Sequence, residues 1–300
     1  MYKFHHVWIL KGSFIPLKKF IVIISNNPAL AKGAIIFMFI PMKTAALLYI
    51  LIASSALAQI QHATATWTTT KTATTGGPIQ TVIKIKVSDG WHTYWKNPGE
   101  GGIPIKIEAK LPDGWTLSEI QYTAPKRLAT GQLPSFGYEG EVILPITIYP
   151  PKGAVSDGKL PQIKATLSWL TCNESSCVPG EAELSLSAAA DASTIQNAYD
   201  NLPKPLEGAK LAFVADKNQV TLTLTLPEKS KINPTIYDVF PVTPDAISAA
   251  SELRFKPADG KPNTWIATGK SSEYLDLKIK SLSIELFKSG EPAWSISSGK

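Results

Sequence analysis

The stretch Ile79-Gln-Thr-Val-Ile-Lys-Ile-Lys-Val87 carries the pattern that decides the fold. From Ile83 to Val87 apolar and polar residues alternate strictly, which is typical of a β-strand with one face buried. The alternation recurs at residues 103–107, 142–148, 163–169, 182–186, 220–226, 275–279 and 282–286. Turn residues such as Asp89-Gly90 and Pro150-Pro151 separate the runs. Short runs punctuated in this way predict an all-β chain built as a β-sandwich.

The composition changes near residue 190, which predicts a boundary between two β domains. Ser193 and Gln196 have the spacing of a capping box, so we expect a short helix through about Tyr199. The Leu-Pro-Lys-Pro run that follows is typical of a linker. The expected domains are a first domain over 59–189, a helix and linker over 190–206, and a second, smaller β-sandwich-like domain over 207–300.

Two shorter segments allow local predictions. Pro244 is expected to open a short helix through Ala250, because proline is well tolerated at the first helical position. The threonine-rich stretch from Thr64 to Thr75 fits an edge strand or a linker equally well.

The net charge belongs to the first 58 residues. The 300 residues include 30 Lys and Arg and 24 Asp and Glu, a formal charge of +6. Residues 1–58 hold six lysines and no acid, so the rest of the chain has 24 basic and 24 acidic residues. A neutral chain after the leader gives no electrostatic argument for nucleic acid or an anionic membrane as a partner.

Residues 42–58 have the organisation of a secretory signal peptide. Lys43 precedes an apolar run from Thr44 to Ile52, and small residues follow up to a cleavage point after Ala58. The run to Ala58 is shorter than the roughly 20 residues of a membrane-spanning helix, although a retained anchor is the alternative. We expect residues 1–41 to be translated upstream sequence, or else a membrane-embedded hairpin. The remainder is therefore expected to be exported, with no stable membrane insertion after cleavage.

Few residues beyond the leader can carry chemistry. His62 and His92 are the two histidines there, and no His-x-x-x-His or Cys-x-x-Cys spacing for zinc occurs. A Gly-x-Ser-x-Gly elbow and a phosphate-binding glycine loop are also absent from the sequence. We therefore expect no metal and no cofactor. Glu139 and Glu141 have the form of a glycosidase pair, but the solvated face of a strand explains them more simply.

Cys172 and Cys177 are the only cysteines of the chain. Two cysteines in an exported protein usually form a structural disulfide. A bridge around a loop of about six residues, however, stabilises a fold by only about 2 kcal/mol on the loop-closure model, which is little for a chain with an ample core. Both a structural and a redox role therefore stay open.

The surroundings of the cysteines indicate their accessibility and redox direction. If the alternation of residues 163–169 continues, Cys172 lies on the face opposite the core and is reachable by a partner. No Lys or Arg occurs between Lys164 and Lys204, and Glu174 lies between the cysteines, so nothing nearby in sequence stabilises a thiolate. Such a pair favours the disulfide form and acts as a reductant when it is a dithiol.

An aromatic cluster runs from Trp91 through His92 and Tyr94 to Trp95. It fits a sugar-binding surface, or a copper site formed by His92 with the cysteines. Packing at a strand end around one hydrogen-bonded histidine explains it with fewer assumptions.

Three motifs in order resemble one known family. They are Gly90-Trp-His-Thr-Tyr-Trp-Lys-Asn-Pro-Gly99, the segment from Phe136 to Thr147, and Trp169-Leu-Thr-Cys172 followed by Cys177-Val-Pro-Gly-Glu181. Residues 62–188 thereby resemble the amino-terminal periplasmic domain of the thiol:disulfide interchange protein DsbD, in its ScsB-like branch. Residues 208–290 resemble the second β domain of that branch more faintly.

The resemblance implies an immunoglobulin-like sandwich in the periplasm. By position, Cys172 and Cys177 would be the exchanging pair, accepting electrons from a membrane-embedded thiol reductant and passing them to periplasmic thioredoxin-fold proteins. Which cysteine attacks first is left open. The loop from Gln132, with Phe136 and Tyr138, would match the family's cap over the pair.

Full-length members also contain a membrane domain and a thioredoxin-like domain, to which no part of this sequence is similar. The resemblance therefore implies an electron donor on a separate protein, or a chain that keeps only the fold. Two function classes follow from the sequence. The first is an exported dithiol/disulfide exchange protein, a component of a protein-disulfide reductase. The alternative is a non-catalytic binding module for carbohydrate, protein or copper, with a structural disulfide.

Overall fold

The computed structural model describes residues 61–70, 77–154 and 160–299. The predictions for 1–41 and for the signal peptide at 42–58 lie outside these residues. Across the described ranges, no helix has the length and apolar character needed to cross a membrane.

The first part of the chain consists of strands: β1 (Ala63–Thr69), β2 (Ile79–Val87), β3 (His92–Gly99), β4 (Lys106–Lys110), β5 (Thr116–Leu117), β6 (Lys126–Thr130), β7 (Leu133–Glu139), β8 (Glu141–Tyr149), β9 (Lys164–Cys172) and β10 (Cys177–Ser185). One helix follows, α1 (Ala192–Asp200). The second part contains β11 (Lys204–Pro205), β12 (Lys210–Ala215), β13 (Gln219–Thr225), a 3-10 helix (Pro234–Ile236), β14 (Asp238–Pro241), β15 (Lys256–Pro257), β16 (Thr264–Lys270), β17 (Ser283–Phe287) and β18 (Trp294–Ser297).

Two sheets enclose the first core. One has the strand order β1-β2-β8-β5, and the other has the order β10-β9-β3-β7-β6, with β4 pairing β9 beside β3. Alternate residues of both sheets point inward, so Ile83 and Leu144 of one sheet share a core with Leu167 and Trp169 of the other. This β-sandwich confirms the predicted fold class.

A second pair of sheets encloses a second core. Their orders are β11-β18-β17-β14 and β12-β13-β16-β15. Leu222 and Leu224 of β13 pack in this core with Ile284 and Leu286 of β17. The two β regions also share buried aromatic side chains, because Phe240 and Phe287 of the second region contact Trp95 of β3 at centroid distances of 6.0 and 6.4 Å. The boundaries at 189 and 207 stay a prediction.

Several local predictions differ from the structure. Helix α1 begins at Ala192 after Asp191, and Gln196 donates to Asp200 Oδ1 instead of completing a capping box with Ser193. Residues 244–246 form a turn rather than the helix predicted after Pro244. The alternating run at 275–279 is irregular, because short apolar runs arise in packed loops as well as in strands.

Two other segments are strands at sheet edges. The Leu-Pro-Lys-Pro run contains β11, which pairs in parallel with β18 at Trp294 and Ser295. The open question of the threonine-rich stretch is settled for Ala63–Thr69, which is the edge strand β1, whereas residues 71–76 lie outside the described part.

Candidate functional site

The two cysteines close the mouth of a hairpin formed by β9 and β10. Cys172 is the last residue of β9, Cys177 is the first of β10, and the two are direct cross-strand partners. Their Cα atoms are 4.1 Å apart, and their sulfur atoms are joined in a disulfide. The disulfide therefore links residues that the ladder already holds face to face.

Asn173 organises the turn between the cysteines. Its Oδ1 accepts hydrogen bonds from the backbone N–H groups of Ser175 (2.9 Å) and Ser176 (2.8 Å) and from both serine hydroxyls at 3.2 Å. The backbone N–H of Asn173 donates to the carbonyl of Ser176 at 2.9 Å. Short polar side chains of this type stabilise tight turns by imitating backbone hydrogen bonds.

The two cysteines differ in exposure. Cys172 is 0% exposed, whereas Cys177 is exposed. The expectation that Cys172 is reachable by a partner is therefore wrong. Its side chain does follow the phase of Leu170, opposite the core residues Leu167 and Trp169, but other chain segments cover that outer face.

A row of four side chains crosses the sheet at the level of the disulfide. Cys177 of β10 pairs with Cys172 of β9, Cys172 pairs with His92 of β3, and His92 pairs with Glu139 of β7. Directly opposed residues of antiparallel strands project from the same face, with Cβ atoms about 4.5–5.5 Å apart. The sheet thus aligns a carboxylate, an imidazole and two sulfur atoms.

The turn between β6 and β7 covers His92. Thr130 Oγ1 lies 3.0 Å from His92 Nε2 and 2.9 Å from the hydroxyl of Tyr94, and a Cβ built on Gly131 would lie 3.5 Å from the carbonyl oxygen of Glu174. This turn therefore reaches across β3 to the cysteine hairpin. His92 is 6% exposed as a result.

Burial and charge act in opposite directions on His92. Desolvation lowers the pKa of the imidazole, because burial disfavours the charged form, and the nearby Glu139 carboxylate raises it in part. The net pKa is below the ordinary value of 6.5. His92 is therefore predominantly neutral at pH 7 and able to accept a proton.

The two side chains predicted to form a cap are buried in the first core. Phe136 and Tyr138 are 0% and 6% exposed within β7. The ring of Phe136 contacts Trp95 and Phe240, and the hydroxyl of Tyr138 donates to the carbonyl of Thr123. Their role as cap residues stays a prediction, while Gly131, just before Gln132, is the residue of this region placed beside the cysteine turn.

The other candidate residues make ring-stacking and ion-pair contacts within the protein. Trp91 stacks on His62 with ring centroids 3.5 Å apart, and Glu139 and Glu141 form ion pairs with Lys126 and Lys84. Within the described residues, no group of three or more His, Cys, Asp and Glu side chains is placed to hold a metal ion.

The sequence contains no signal for Thr130. It groups His92 with the cysteines only through the copper-site alternative, not as neighbours in one row across a sheet. The signal for the row is the pairing of β3 with β9, which depends on strand order and register. Neither is encoded in local alternation.

Comparison with known proteins gives one family model and similar solved structures. Residues 61–189 match the family model described as "Thiol:disulfide interchange protein DsbD, N-terminal". The solved N-terminal periplasmic domain of ScsB from Proteus mirabilis is similar over 80% of this chain and 95% of that one, with a TM-score of 0.56 at 19% sequence identity. The YadV chaperone aligns with a TM-score of 0.20 at 8% identity, over 79% of this chain and 99% of that one. No curated protein matches the chain.

Proposed function

We propose a redox function on the premise that residues 61–189 belong to the DsbD N-terminal domain family: the chain is an exported thiol:disulfide exchange protein that acts through Cys172 and Cys177. The observation that carries the proposal is the unequal exposure of a bonded pair. Cys177 is exposed at the mouth of a surface hairpin, and Cys172 is fully buried behind it. A partner sulfur has access to one end of the disulfide only.

This asymmetry supports a different role for each cysteine. In the dithiol form, the Cys177 thiolate attacks a client disulfide, forms a mixed disulfide and releases one client thiolate, which takes up a proton. The Cys172 thiolate then attacks the Cys177 sulfur and releases the second client thiolate. The client gains two electrons and two protons, and this chain becomes the disulfide.

Recharging uses the same exposed sulfur in reverse. A dithiol donor attacks Cys177 Sγ, and Cys172 leaves as the thiolate. We propose that the donor is a separate membrane-embedded thiol reductant and that the clients are periplasmic thioredoxin-fold proteins. Family membership and the periplasmic setting of the similar ScsB domain support this assignment.

Two single variants test the exchange and the order of attack. Cys172→Ser leaves the exposed thiol without its resolving partner, so it is expected to accumulate mixed disulfides when expressed in the native periplasm. Cys177→Ser leaves only the buried thiol and is expected to trap far fewer. Non-reducing gels and mass spectrometry of the trapped species supply the readout, and the double variant is the control. Failure of both single variants to trap a client would instead support a purely structural disulfide.

A further inference from the structure

The resolving step needs an acceptor for the proton of the Cys172 thiol. Cys172 attacks as a thiolate, because the thiolate is the nucleophile in disulfide exchange. Its side chain is 0% exposed, so bulk water is not positioned to remove the proton. An internal base beside Cys172 would fill this need.

His92 is the residue that the sheet places next to Cys172. The two are direct partners between β3 and β9, and Cys177 continues the same row on β10. With Cβ atoms of such partners about 4.5–5.5 Å apart, an imidazole is within reach of a neighbouring sulfur. Thr130 Oγ1 at 3.0 Å from Nε2 and the edge of the Tyr94 ring, with its centroid 5.2 Å away, hold the imidazole in place.

Glu139 extends the row on the far side of His92. It is the cross-strand partner of His92 on β7, and its carboxylate acts electrostatically on the imidazole. A carboxylate beside an imidazole stabilises the imidazolium that forms when the imidazole takes a proton. The row therefore has the order carboxylate, imidazole, resolving sulfur, exposed sulfur.

We propose that His92 accepts the proton of the Cys172 thiol in the resolving step, with Glu139 as the positioning residue that stabilises the protonated imidazole. This inference rests on the proposed function. The S–H bond of Cys172 breaks, the proton moves to His92, and the new S–S bond forms between Cys172 and Cys177. The bond between Cys177 and the client sulfur breaks, and the departing client thiolate takes up one proton as His92 returns its own to the medium. No electron passes through the imidazole.

The ionisable groups around His92 come from several elements. Glu139 of β7 faces it and is itself paired with Lys126 of β6 at 3.0 Å. Tyr94 lies on the same strand, and the turn that carries Glu174 lies beyond the cysteine pair. Among these groups, the Glu139 carboxylate raises the pKa of His92 and so opposes the lowering that burial causes.

Reaction of the reduced protein with 5,5′-dithiobis(2-nitrobenzoic acid) separates the two sulfur attacks. The first release of coloured thiolate reports attack by Cys177 on the reagent, and the second reports attack by Cys172 on the mixed disulfide. His92→Gln is expected to leave the first release unchanged and to slow the second by about 100-fold or more, within the range of general base catalysis. In the wild type the second rate should rise with pH through the pKa of His92, below 6.5, and the variant should lack this rise.

Glu139→Gln tests the same row from an exposed position, where the substitution does not disturb the core. Loss of the carboxylate is expected to move the rise of the second rate to lower pH. Glu141→Gln is the matched control, because this carboxylate is also exposed but pairs with Lys84 instead of facing His92, and it should leave the profile unchanged. If His92→Gln does not fold, the Glu139→Gln profile decides the question alone.

Each outcome supports or overturns the inference. Unchanged second release in His92→Gln, or equal slowing of both releases with an unaltered pH profile, overturns it, since the latter indicates a structural role only. Failure of the proposed function has a different signature. In that case no client is trapped in the periplasm, whereas the small-molecule reaction still shows the dependence on His92.

Discussion

Glycine is required at two positions where strands beside the cysteines approach closely. A Cβ built on Gly180 of β10 would lie 2.3 Å from Nε1 of Trp169, its cross-strand partner. A Cβ on Gly137 of β7 would lie 2.0 Å from the carbonyl oxygen of Thr93. The tryptophan ring therefore occupies the space over one glycine, and the β3 backbone occupies the space over the other.

Gly137→Ala is expected to destabilise the protein by about 3 kcal/mol or more, because a backbone carbonyl cannot move away without separating β3 from β7. Urea unfolding of the oxidised protein measures the change. Gly140→Ala is the matched control. Its added Cβ meets nothing within 4 Å, and its φ of +68° costs about 1 kcal/mol for a non-glycine residue. Equal effects of the two substitutions would contradict the close approach at Gly137.

At the level of elements, the cysteine hairpin has two closures, the disulfide and the Asn173 turn. Asn173→Ala removes the acceptor of four hydrogen bonds. We expect a loss of about 1 kcal/mol in the reduced protein and a smaller loss in the oxidised one, where the disulfide still closes the hairpin. Because the substitution destabilises the reduced protein more than the oxidised one, the disulfide of the variant should be harder to reduce.

Unfolding free energies with and without dithiothreitol measure this effect. Glu174→Ala, an exposed substitution in the same turn, is the control and should change neither form. A loss that is the same in both redox forms would show that the turn is not coupled to the disulfide.

The strands were more predictable from sequence than the short helices and turns. Alternation at 142–148 and 220–226 corresponds to β8 and β13, because burial of one sheet face imposes that period directly. The expected strand at 103–107 begins later, at Lys106. Helix α1 was predicted in place but with the wrong cap, since several polar residues near its start compete for that role.

The site was predictable only in part. Composition and the motif Trp169-Leu-Thr-Cys172 identify the cysteines, and the copper-site alternative groups His92 with them. The burial of Cys172 was not predictable, because it depends on strands and turns that lie far from β9 in the sequence, such as the turn between β6 and β7 that lies beside the cysteine hairpin. Alternation along β9 identifies a face but not what packs on it.

At the scale of the whole molecule, Arg127 joins the two β regions. Its guanidinium donates to the carbonyls of Val239 (3.0 Å), Ala249 (3.3 Å) and Ser251 (3.0 Å). Its carbon Cζ also lies 4.9 Å from the ring centroid of Phe240. A single side chain on β6 thus satisfies backbone groups of the second region.

Arg127→Ala is expected to weaken this junction by about 3 kcal/mol or more, because it leaves three carbonyls without their charged donor. The wild type is expected to unfold in one cooperative transition, because Arg127 and the shared aromatic side chains couple the two regions. Without Arg127 this coupling is weaker, and two transitions are expected. Calorimetry and circular dichroism distinguish these cases. Lys126→Ala, at the exposed neighbouring position, should keep a single transition.

Glu285 makes the same junction sensitive to pH. Its carboxylate pairs with Lys96 Nζ at 2.5 Å, and its Oε2 has no hydrogen-bond partner among the described residues. Burial, the largest effect, raises the pKa of Glu285 above 4.5, although Lys96 opposes this. Because the folded form binds the proton more tightly, the stability from this group is full below pH 4.5 and is lost as pH rises through the raised pKa.

Glu285→Gln should remove that pH dependence. Relative to the wild type, the variant is expected to lose more free energy of unfolding at about pH 4, where the raised pKa of Glu285 stabilises the wild type, than at pH values above that pKa. Urea unfolding at both pH values tests the difference. Glu291→Gln, an exposed substitution, should change the free energy of unfolding equally at both pH values. An equal change at both pH values for Glu285→Gln as well would exclude a contribution of Glu285 to the pH dependence.

The direct pairing of Cys172 with Cys177 has different consequences for insertions in the turn between them and for insertions in β9 before Cys172. Residues inserted into the turn lengthen the loop while the ladder below it still brings both cysteines together. One residue inserted between Trp169 and Cys172 would instead turn the sulfur toward the opposite face of the sheet. We therefore expect distant homologues to keep the Trp-x-x-Cys interval, whereas the distance from the first cysteine to the second is free to vary.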